Sequence, residues 1–429
     1  MKRVSFGAQN QKSVGLSNKQ LVLRLLWERG PASRVELGKL TGLTTAALSG
    51  ITRELLNQGL ICELGQGESS VGRKPVRLGI NRDVGRVAGV RLQKDRLGVA
   101  IFDLSGKSLA RRSVSIATTD VEYVAESLRN QLRLAAEEAG LSAEEIGAVV
   151  VVSPGLIVSD TGVIRFSTNL GWHDVPLRDV LQRVLGKPVA VEHIANAAAM
   201  ATYQTQKDPG WQDLIYVHWS VGIGAGIISE GKLFRGNSGF AGELGHVAVP
   251  SEKEVACRCG GVGCLETVCG MEAILSQFGV AVREMAGAVG DTAAGRAARD
   301  ARAARDARDE DVAADRLVRL FSDGVPGAQA VAEHVGRTMG IAIGNVVNLF
   351  NPQAVIIGGD GVALKPWLER PLLDGVRRQA LKELSSQLVV RFDEEMERAL
   401  QGAGLLAAQM FLRQAVEGNG SLAGSDETG

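Results

Sequence analysis

Residues 241–266 read AGELGHVAVPSEKEVACRCGGVGCLE, in which His246 precedes three closely spaced cysteines, Cys257, Cys259 and Cys264. Three thiolates and one imidazole satisfy a tetrahedral Zn²⁺ ion and leave no open coordination position. A catalytic zinc needs a vacant or water-filled position, so the pattern predicts a structural Zn(2+) site. The alternative is a group of buried or redox-active cysteines that hold no metal.

The other two cysteines, Cys62 and Cys269, are isolated, and we predict that both are small core residues. An odd count of five argues against a disulfide framework. No apolar run approaches the ~18 residues of a membrane span, and the first twenty residues lack the apolar stretch of a signal peptide. We therefore expect a cytoplasmic protein with no membrane partner.

On both sides of the zinc motif, strand-like and helix-like runs alternate from residue 83 onward. The strand-like runs are residues 87–90, 98–102, 149–152, 189–191, 214–217, 226–228 and 354–357. The clearest helix-like runs are residues 121–139 and 330–349. Alternation of this kind predicts an α/β body. Residues 286–316 are rich in Ala with mixed Arg and Asp, which is typical of a solvated helix or a mobile insertion.

Residues 1–82 predict a separate head. A Ser-Arg-Val-Glu capping box at residues 33–36 begins a short helix, and Gly42 supplies a turn before a longer helix capped by Thr44 or Thr45. The elements around them are a first helix, 18–28, and two β-like runs, 60–64 and 76–80. This order is that of a winged helix-turn-helix, whose third helix enters the major groove of DNA. A three-helix protein-interaction module is the alternative.

The charge of the head favours DNA as its partner. Residues 1–82 contain 13 Lys and Arg and 5 Glu, a net charge of +8, whereas the whole chain has a net charge of zero. A basic head on an acidic body favours a polyanion partner, although an unevenly charged solvated surface would look the same. The third helix has an apolar face of Leu48, Ile51 and Leu55 and an open face of Thr45, Ser49, Thr52 and Arg53. The predicted DNA-binding residues are Ser33, Arg34, Thr44, Thr45, Ser49, Arg53, Arg73 and Lys74.

Taken together, these motifs resemble the ROK family (repressors, open reading frames, kinases) over about residues 17–415. The most specific pieces are the stretch that ends at Glu266 and the Ser-Pro-Gly at 153–155 that leads to STNLGW at 167–172. The resemblance implies a two-lobed, actin-like ATPase body of the sugar kinase and ribonuclease H type, with a sugar cleft between the lobes. It also implies a homodimer or homotetramer. The family's repressors have an N-terminal head that its sugar kinases lack.

The expected division of the chain follows from this resemblance. The predicted segments are a winged helix-turn-helix head with its linker, 1–82; a first lobe, 83–200; a second lobe carrying the zinc motif and the 286–316 insertion, 201–415; and a flexible tail, 416–429.

Three departures from the family's kinases predict a protein that is not an enzyme. The kinase motif Asp-x-Gly-Gly-Thr falls on residues 91–95, where Arg91 opens an Arg-Leu-Gln-Lys-Asp run. The general base of the kinases is replaced by Ile194, and loss of such a base lowers rates by about 10²–10⁴. The second phosphate loop, usually Gly-Thr-Gly, reads Ser-Val-Gly at 220–222. The Gly-rich stretches 221–226 and 357–361 suit either phosphate contacts or tight turns.

The resemblance also carries over a set of sugar-contacting residues. Their counterparts here are Asn169, Glu243, His246 and Glu266. The missing base also removes an acceptor for a sugar hydroxyl, and His193 could supply one replacement hydrogen bond. The effector is therefore a sugar or sugar derivative, or the pocket is vestigial. Three further histidines lack a partner pattern and are predicted to be satisfied structural residues: His173, His218 and His334.

Three hypotheses follow. The first is a sugar-responsive transcription regulator, a repressor of carbohydrate uptake or catabolism genes that binds a double-stranded DNA operator. The second is an active sugar kinase for hexoses or N-acetylhexosamines with an accessory DNA-binding head. The third is a ligand-independent DNA-binding regulator.

Overall fold

The protein begins with the predicted head of helices and a small sheet. The structure, a computed structural model, describes residues 11–66, 76–205, 210–250, 255–286 and 310–418. The elements of the head are α1 (Gln11–Arg29), β1 (Ala32–Ser33), α2 (Arg34–Thr41), α3 (Thr45–Asn57), β2 (Ile61–Gln66) and β3 (Val76–Ile80). The strands form a small antiparallel sheet in the order β1-β3-β2. The first helix is longer than the predicted 18–28, and the strand over 76–80 is confirmed.

Local capping interactions set the turn between α2 and α3. The Ser33 hydroxyl accepts from the Glu36 N–H at 3.3 Å, and the Glu36 carboxylate accepts from the Ser33 N–H at 2.7 Å, which confirms the capping box. Gly42 ends α2 with φ of 70°, a backbone conformation that favours glycine. The Thr44 hydroxyl, not that of Thr45, then caps α3 by accepting from the Ala47 N–H.

The first lobe of the body is built on a five-stranded sheet in the order β11-β7-β4-β5-β6. Its elements are β4 (Arg86–Leu92), β5 (Arg96–Asp103), β6 (Ser108–Ser115), α4 (Val121–Glu138), β7 (Ile146–Ser153), β8 (Leu156–Val158), β9 (Val163–Ser167), β10 (Trp172–Val175), α5 (Leu177–Leu185), β11 (Val189–His193) and α6 (Ile194–Thr205). Strands β4, β7 and β11 are parallel, and β8 to β10 form a separate three-stranded sheet. The parallel strands carry almost unbroken apolar runs because both faces of the sheet are covered.

The second lobe repeats this plan with a five-stranded sheet in the order β14-β13-β12-β15-β16. Its elements are β12 (Leu214–Trp219), β13 (Ile223–Ser229), β14 (Lys232–Phe234), α7 (Glu266–Cys269), α8 (Met271–Ala286), α9 (Glu310–Ser322), α10 (Ala328–Phe350), β15 (Ala354–Gly358), α11 (Lys365–Gln379), α12 (Lys382–Ser385), β16 (Val389–Phe392) and α13 (Arg398–Glu417). Strands β12, β15 and β16 are parallel. Every strand-like and helix-like run predicted for the body is confirmed as a strand or helix of that type.

The last helix, α13, packs on the first lobe. It packs against β4 and β7 of the first sheet and against α6, although its position in the chain placed it in the second lobe of the predicted division. A Cβ placed on Gly402 would lie 1.9 Å from the carbonyl oxygen of Ala197, so only glycine permits this approach of α13 to α6.

Two predicted mobile segments are only partly described. Residues 310–316 of the predicted insertion belong to α9, where Ala313 and Ala314 are buried, and residues 287–309 lie outside the described residues. Residues 416 and 417 complete α13, and most of the predicted tail also lies outside. No helix in the described ranges is long and apolar enough to cross a membrane.

Candidate functional site

The four predicted metal ligands come together in one cluster. Their ligand atoms all lie within 4.8 Å of one another. Cys257 Sγ lies 3.7 Å from His246 Nδ1, and Cys259 Sγ lies 3.7 Å from Cys264 Sγ. The Gly261 N–H points at the Cys259 sulfur and lowers the pKa of that thiol, whereas burial raises the pKa of Cys264 to about 12. The cluster could hold a metal ion.

Short backbone pairings shape the loop that carries these cysteines. Isolated β-bridges join residue 248 to 264 and residue 256 to 262, and they fold the loop back on itself. Gly260 and Gly263 have φ of 92° and 68°, which lets the chain reverse direction twice in four residues. Of the two other cysteines, Cys269 is buried as predicted, whereas Cys62 is only half-buried.

The metal cluster adjoins a pair of carboxylates. Glu243 Oε2 lies 4.0 Å from His246 Nε2, and burial, followed by the charge of Glu266, raises the pKa of Glu243 to about 7. A Cβ placed on Gly222 would lie 3.0 Å from Glu266 Oε2 and 3.9 Å from Asn169 Nδ2, so these two side chains meet over the same glycine. Four of the five predicted sugar-contacting residues therefore converge beside the start of β13.

The fifth residue, His193, approaches the same strand. A Cβ placed on Gly224 would lie 2.9 Å from His193 Cε1. Residues 222 and 224 are two apart, so they face the same side of the chain as it enters β13. Burial lowers the pKa of His193 to about 4, so the imidazole is neutral at pH 7. His193 therefore extends the group formed by Asn169, Glu243 and Glu266.

Several residues at the positions of the kinase motifs are buried or engaged within the protein. Ile194 is 5% exposed and offers no proton acceptor. The Ser220 hydroxyl donates to the Asp360 carboxylate, which occupies it within the protein. The side chains of Arg91 and Gln93 are buried at positions where the kinase motif Asp-x-Gly-Gly-Thr would have an aspartate and a glycine. The position that the resemblance gives to the general base therefore holds an apolar side chain.

A buried ion pair beside this cleft escaped the sequence analysis. The Glu192 side chain is 6% exposed and accepts from the His193 N–H, the Asn196 amide and both Nε and Nη2 of Arg235, at 2.9, 2.9, 3.0 and 2.7 Å. Arg235 follows β14, 43 residues further along the chain. No local pattern links the two positions, so only the fold reveals the pair.

The three other histidines have different environments, and only His218 departs from the predicted role of a satisfied structural residue. His173 is largely exposed beside Asp174, and His334 is exposed on α10, so neither is a core residue. His218 is buried, but its Nδ1 has no hydrogen-bond partner within the described ranges. An unsatisfied buried nitrogen is unusual in a structural role and marks His218 as a candidate functional residue.

In the head, most residues predicted to contact DNA from α3 and its cap are exposed or half-buried. Thr44, Thr45 and Arg53 are exposed and Ser49 is half-buried. Thr52 is wrong as a member of this face, because it is fully buried and its hydroxyl donates to the Leu48 carbonyl, one turn back. Thr52 lies four residues after Leu48 and three before Leu55, so it shares their buried face.

The members of the set outside α3 differ from one another. Ser33 is 4% exposed and its hydroxyl is occupied by the helix cap, which corrects its prediction as a direct DNA contact. Arg34 Nε donates to Thr52 Oγ1 at 3.0 Å, while the rest of its guanidinium remains half-exposed near Glu63. The last two predicted contacts, Arg73 and Lys74, lie outside the described residues.

The head and the body meet through α1. Trp27 Nε1 donates to the Leu104 carbonyl at 3.2 Å, and Gln20 Nε2 donates to Glu417 at 2.9 Å. A cavity of about 670 Å³ lies between α1, β14 and α13, and Arg235 forms part of its wall. The Arg235 side chain therefore lies at this junction and also contacts the buried Glu192.

The profile of the ROK family matches residues 87–410 of this chain. The xylose repressor of Caldicellulosiruptor bescii is 32% identical over 342 residues, which are 80% of this chain and 82% of that protein. A solved ROK family transcriptional regulator, described as a homolog of the E. coli MLC protein, is 27% identical with a TM-score of 0.74 and covers 94% of this chain and 99% of its own. A ROK family glucokinase from Streptomyces griseus is 26% identical with a TM-score of 0.60, and covers 76% of this chain and 100% of its own.

Proposed function

This chain belongs to the ROK family, and we propose that it is a sugar-responsive transcription regulator, a repressor of carbohydrate uptake or catabolism genes. The observation that carries the proposal is a capped α2–turn–α3 unit, with an exposed polar face on α3, joined to a cleft that keeps its carboxylates and lacks a general base. A kinase needs no such head, and the glucokinase above covers only three quarters of the chain. Such a regulator works in the cytoplasm, where its operator lies.

In the proposed complex, α3 lies in the major groove of double-stranded DNA. Arg53, Thr45 and Ser49 face the groove, and Thr44 and Arg34 approach the phosphates beside it. Arg73 and Lys74 are proposed as phosphate or minor-groove contacts. A homodimer or homotetramer would present two heads to half-sites about one helical turn, ~34–36 Å, or a multiple of it apart.

In the same proposal, the cleft of the body binds the effector. Asn169, His193, Glu243, His246 and Glu266 offer hydrogen bonds to sugar hydroxyls beside the start of β13. Because its pKa is about 7, Glu243 exchanges readily between the charged and the neutral form near pH 7 and can accept or donate a hydrogen bond.

The metal of the Cys3His cluster is proposed to be zinc in a structural role. With Zn–S bonds of ~2.3 Å, a tetrahedral site separates two sulfurs by roughly 3.8 Å, and Cys259 Sγ and Cys264 Sγ are 3.7 Å apart. Four protein ligands leave no position for a reacting water. The ion would fix the loop that positions Glu243, three residues before the ligand His246.

The Glu192–Arg235 pair offers a route from the effector to the head. A ligand that displaces His193 would also shift Glu192, because the Glu192 carboxylate accepts a hydrogen bond from the His193 N–H. Arg235 transmits a shift of Glu192 to the cavity wall beside α1, the helix that joins the head to the body. For such control the effector must bind the two head arrangements with different affinities.

DNA binding by the full chain tests this function. Fluorescence anisotropy with the DNA upstream of the chain's own gene is expected to show sequence-preferring binding that a carbohydrate from a sugar panel weakens. Arg53→Gln should lose binding, whereas the matched control Arg129→Gln, an exposed residue of α4 paired with Glu126, should retain it. Binding that ignores DNA sequence, in the presence and absence of every sugar, would contradict the proposal.

The two rival hypotheses have their own tests. An ADP-release assay across hexoses and N-acetylhexosamines should show no sugar-dependent turnover, and a rate above roughly 1 s⁻¹ would establish the kinase instead. A thermal-shift screen addresses the ligand-independent regulator, because a saturating ligand of the native state must raise the melting temperature. A sugar panel without any thermal shift would favour that rival.

A further inference from the structure

The buried face of α3 includes a polar side chain. Thr52 is fully buried, on the same face as Leu48, Ile51 and Leu55, which belong to the core of the head. A buried hydroxyl lowers stability unless it is hydrogen-bonded. A threonine hydroxyl that bonds back to its own helix also weakens that helix slightly. The packing of α3 would therefore be served better by an apolar residue, so the reason for the hydroxyl lies in its contacts outside the helix.

Outside α3, the Thr52 hydroxyl bonds to Arg34. Its proton is donated to the Leu48 carbonyl at 2.8 Å, with the Ser49 carbonyl at 3.4 Å. A hydroxyl has one proton and two acceptor lone pairs, so the oxygen can still accept a hydrogen bond. Arg34, the first residue of α2, donates to this oxygen from Nε at 3.0 Å. Thr52 therefore joins α3 to one guanidinium group of α2.

This hydrogen bond holds Arg34 by the inner nitrogen of its guanidinium. The Arg34 side chain is 34% exposed, and its Nη2 lies 3.8 Å from Glu63 Oε1, which is beyond hydrogen-bond distance. Glu63 is itself about half exposed, so this ion pair contributes little stability. Because Thr52 binds the inner nitrogen, the terminal nitrogens of Arg34 remain for another partner. An arginine fork of this kind matches the oxygens of a phosphate.

We propose that Thr52 is a positioning residue for DNA binding, which holds the Arg34 guanidinium in the orientation that binds a backbone phosphate beside the major groove. This role rests on the proposed function, because it requires that α3 enters the groove. Ordering a long side chain on association costs free energy. An Arg34 that is already held when DNA arrives avoids part of that cost. Since phosphates carry no sequence information, the gain in affinity should be the same for every DNA sequence.

The test removes the hydroxyl and measures the DNA affinity of the full chain. Fluorescence anisotropy is run with the DNA upstream of the chain's own gene and with a scrambled duplex of equal length and composition. Thr52→Val should weaken binding to both duplexes by the same factor, about two- to tenfold, the cost of ordering one long side chain. Thr52→Ser, which keeps the hydroxyl, should bind like the wild type. The matched control Thr202→Val removes an equally buried helical hydroxyl, unpartnered in the described ranges, and should leave the affinity unchanged.

A double-mutant cycle separates positioning from a structural effect on α3. Arg34→Gln should weaken DNA binding about tenfold or more, the scale of one hydrogen bond to a charged group. In that background Thr52→Val should have no further effect, because the side chain that Thr52 positions is gone. A merely structural Thr52 would distort α3 when replaced, so its loss would persist beside Arg34→Gln and would be larger for the preferred duplex. Thr52→Ala is a second variant without the hydroxyl, used if Thr52→Val fails to fold in thermal denaturation.

The possible failures are distinguishable. If Glu63 rather than Thr52 held Arg34, Glu63→Gln would weaken binding; in the proposed arrangement it keeps or raises the affinity, because it removes a negative charge near the phosphate. Unchanged affinity without the Thr52 hydroxyl, or an equal loss in the wild-type and Arg34→Gln backgrounds, would overturn the positioning role and leave the proposed regulator intact. If the wild-type chain binds neither duplex, the proposed DNA-binding function fails first, and the role of Thr52 fails with it.

Discussion

Replacing Arg235 by methionine should destabilise the body strongly, although Arg235 lies near the surface. The substitution leaves Glu192 Oε1 bonded to the His193 N–H and the Asn196 amide, but strips Oε2 of its two guanidinium contacts. Removing one partner of a buried pair generally lowers stability by about 3–5 kcal/mol. The Arg235 side chain is 39% exposed, so water can reach Glu192 Oε2 once the guanidinium is removed. We therefore expect the unfolding free energy to fall by about 2–4 kcal/mol.

The double-mutant cycle with Glu192→Gln isolates the pair from its surroundings. Glu192→Gln alone places an uncharged amide beside the Arg235 guanidinium. The double variant Glu192→Gln/Arg235→Met has neither charge of the pair, so it should recover most of the stability that Arg235→Met loses. Chemical denaturation gives the unfolding free energies. The matched control is the surface pair Arg183–Glu122, also 2.7 Å apart but about two-thirds exposed, whose coupling should be roughly 0–1 kcal/mol.

The same variants test the route to the head. The double variant should bind operator DNA with unchanged affinity but lose most of its response to the effector, because the link between the cleft and the α1 cavity is gone. A coupling energy for Glu192 and Arg235 below about 0.5 kcal/mol, like that of an exposed pair, would refute the energetic reasoning. A normal effector response in the stable double variant would refute the route.

Three further outcomes follow from the structure. Cys259→Ser should reduce bound zinc from one per chain and lower the melting temperature, as measured by metal analysis and thermal denaturation. Arg53→Gln should weaken DNA binding and reduce the slope of log affinity against log salt by about 1, measured by anisotropy across a salt series. In the folded protein the pKa of His193 is about 4 and that of His218 is about 3, whereas the unfolded chain has ~6.5 for both. The stability that their neutral forms allow is fully present above pH ~6.5. It is lost as the pH falls toward 4, because the unfolded chain takes up protons there that the folded protein does not. His218→Gln should flatten the loss of unfolding free energy between pH 7 and 5 by up to about 2 kcal/mol in denaturation curves.

What could be predicted from the sequence was encoded locally. The Ser33–Glu36 box and Gly42 act within one or two helical turns, so their residue types are sufficient to place α2 and the turn. The central strands β7 and β12 are apolar runs bounded by polar residues or glycine, and burial on both faces requires such runs. The metal ligands were predictable because three of the four lie within eight residues of one another.

What was missed depends on contacts between distant segments. Strand β6 alternates exposed and half-buried residues and has a weak apolar signal, because it lies at the edge of its sheet. Arg235 and Glu192, which form an ion pair, are 43 residues apart in the sequence. His218 looked like an ordinary strand residue, and only its unpaired nitrogen distinguishes it.

In the proposed regulator, the residues at the kinase positions have one physical consequence for signalling. A kinase uses part of its binding energy to favour the transition state and then releases its product. With Ile194 at the base position, no side chain there can accept a proton from a bound ligand. The binding energy of an effector is then available to change the balance between two lobe arrangements. An effector must favour one arrangement by about 5.5 kcal/mol to move the population from 1:99 to 99:1. A few charge-assisted hydrogen bonds of about 1.5–3 kcal/mol each, made in only one arrangement, reach that size.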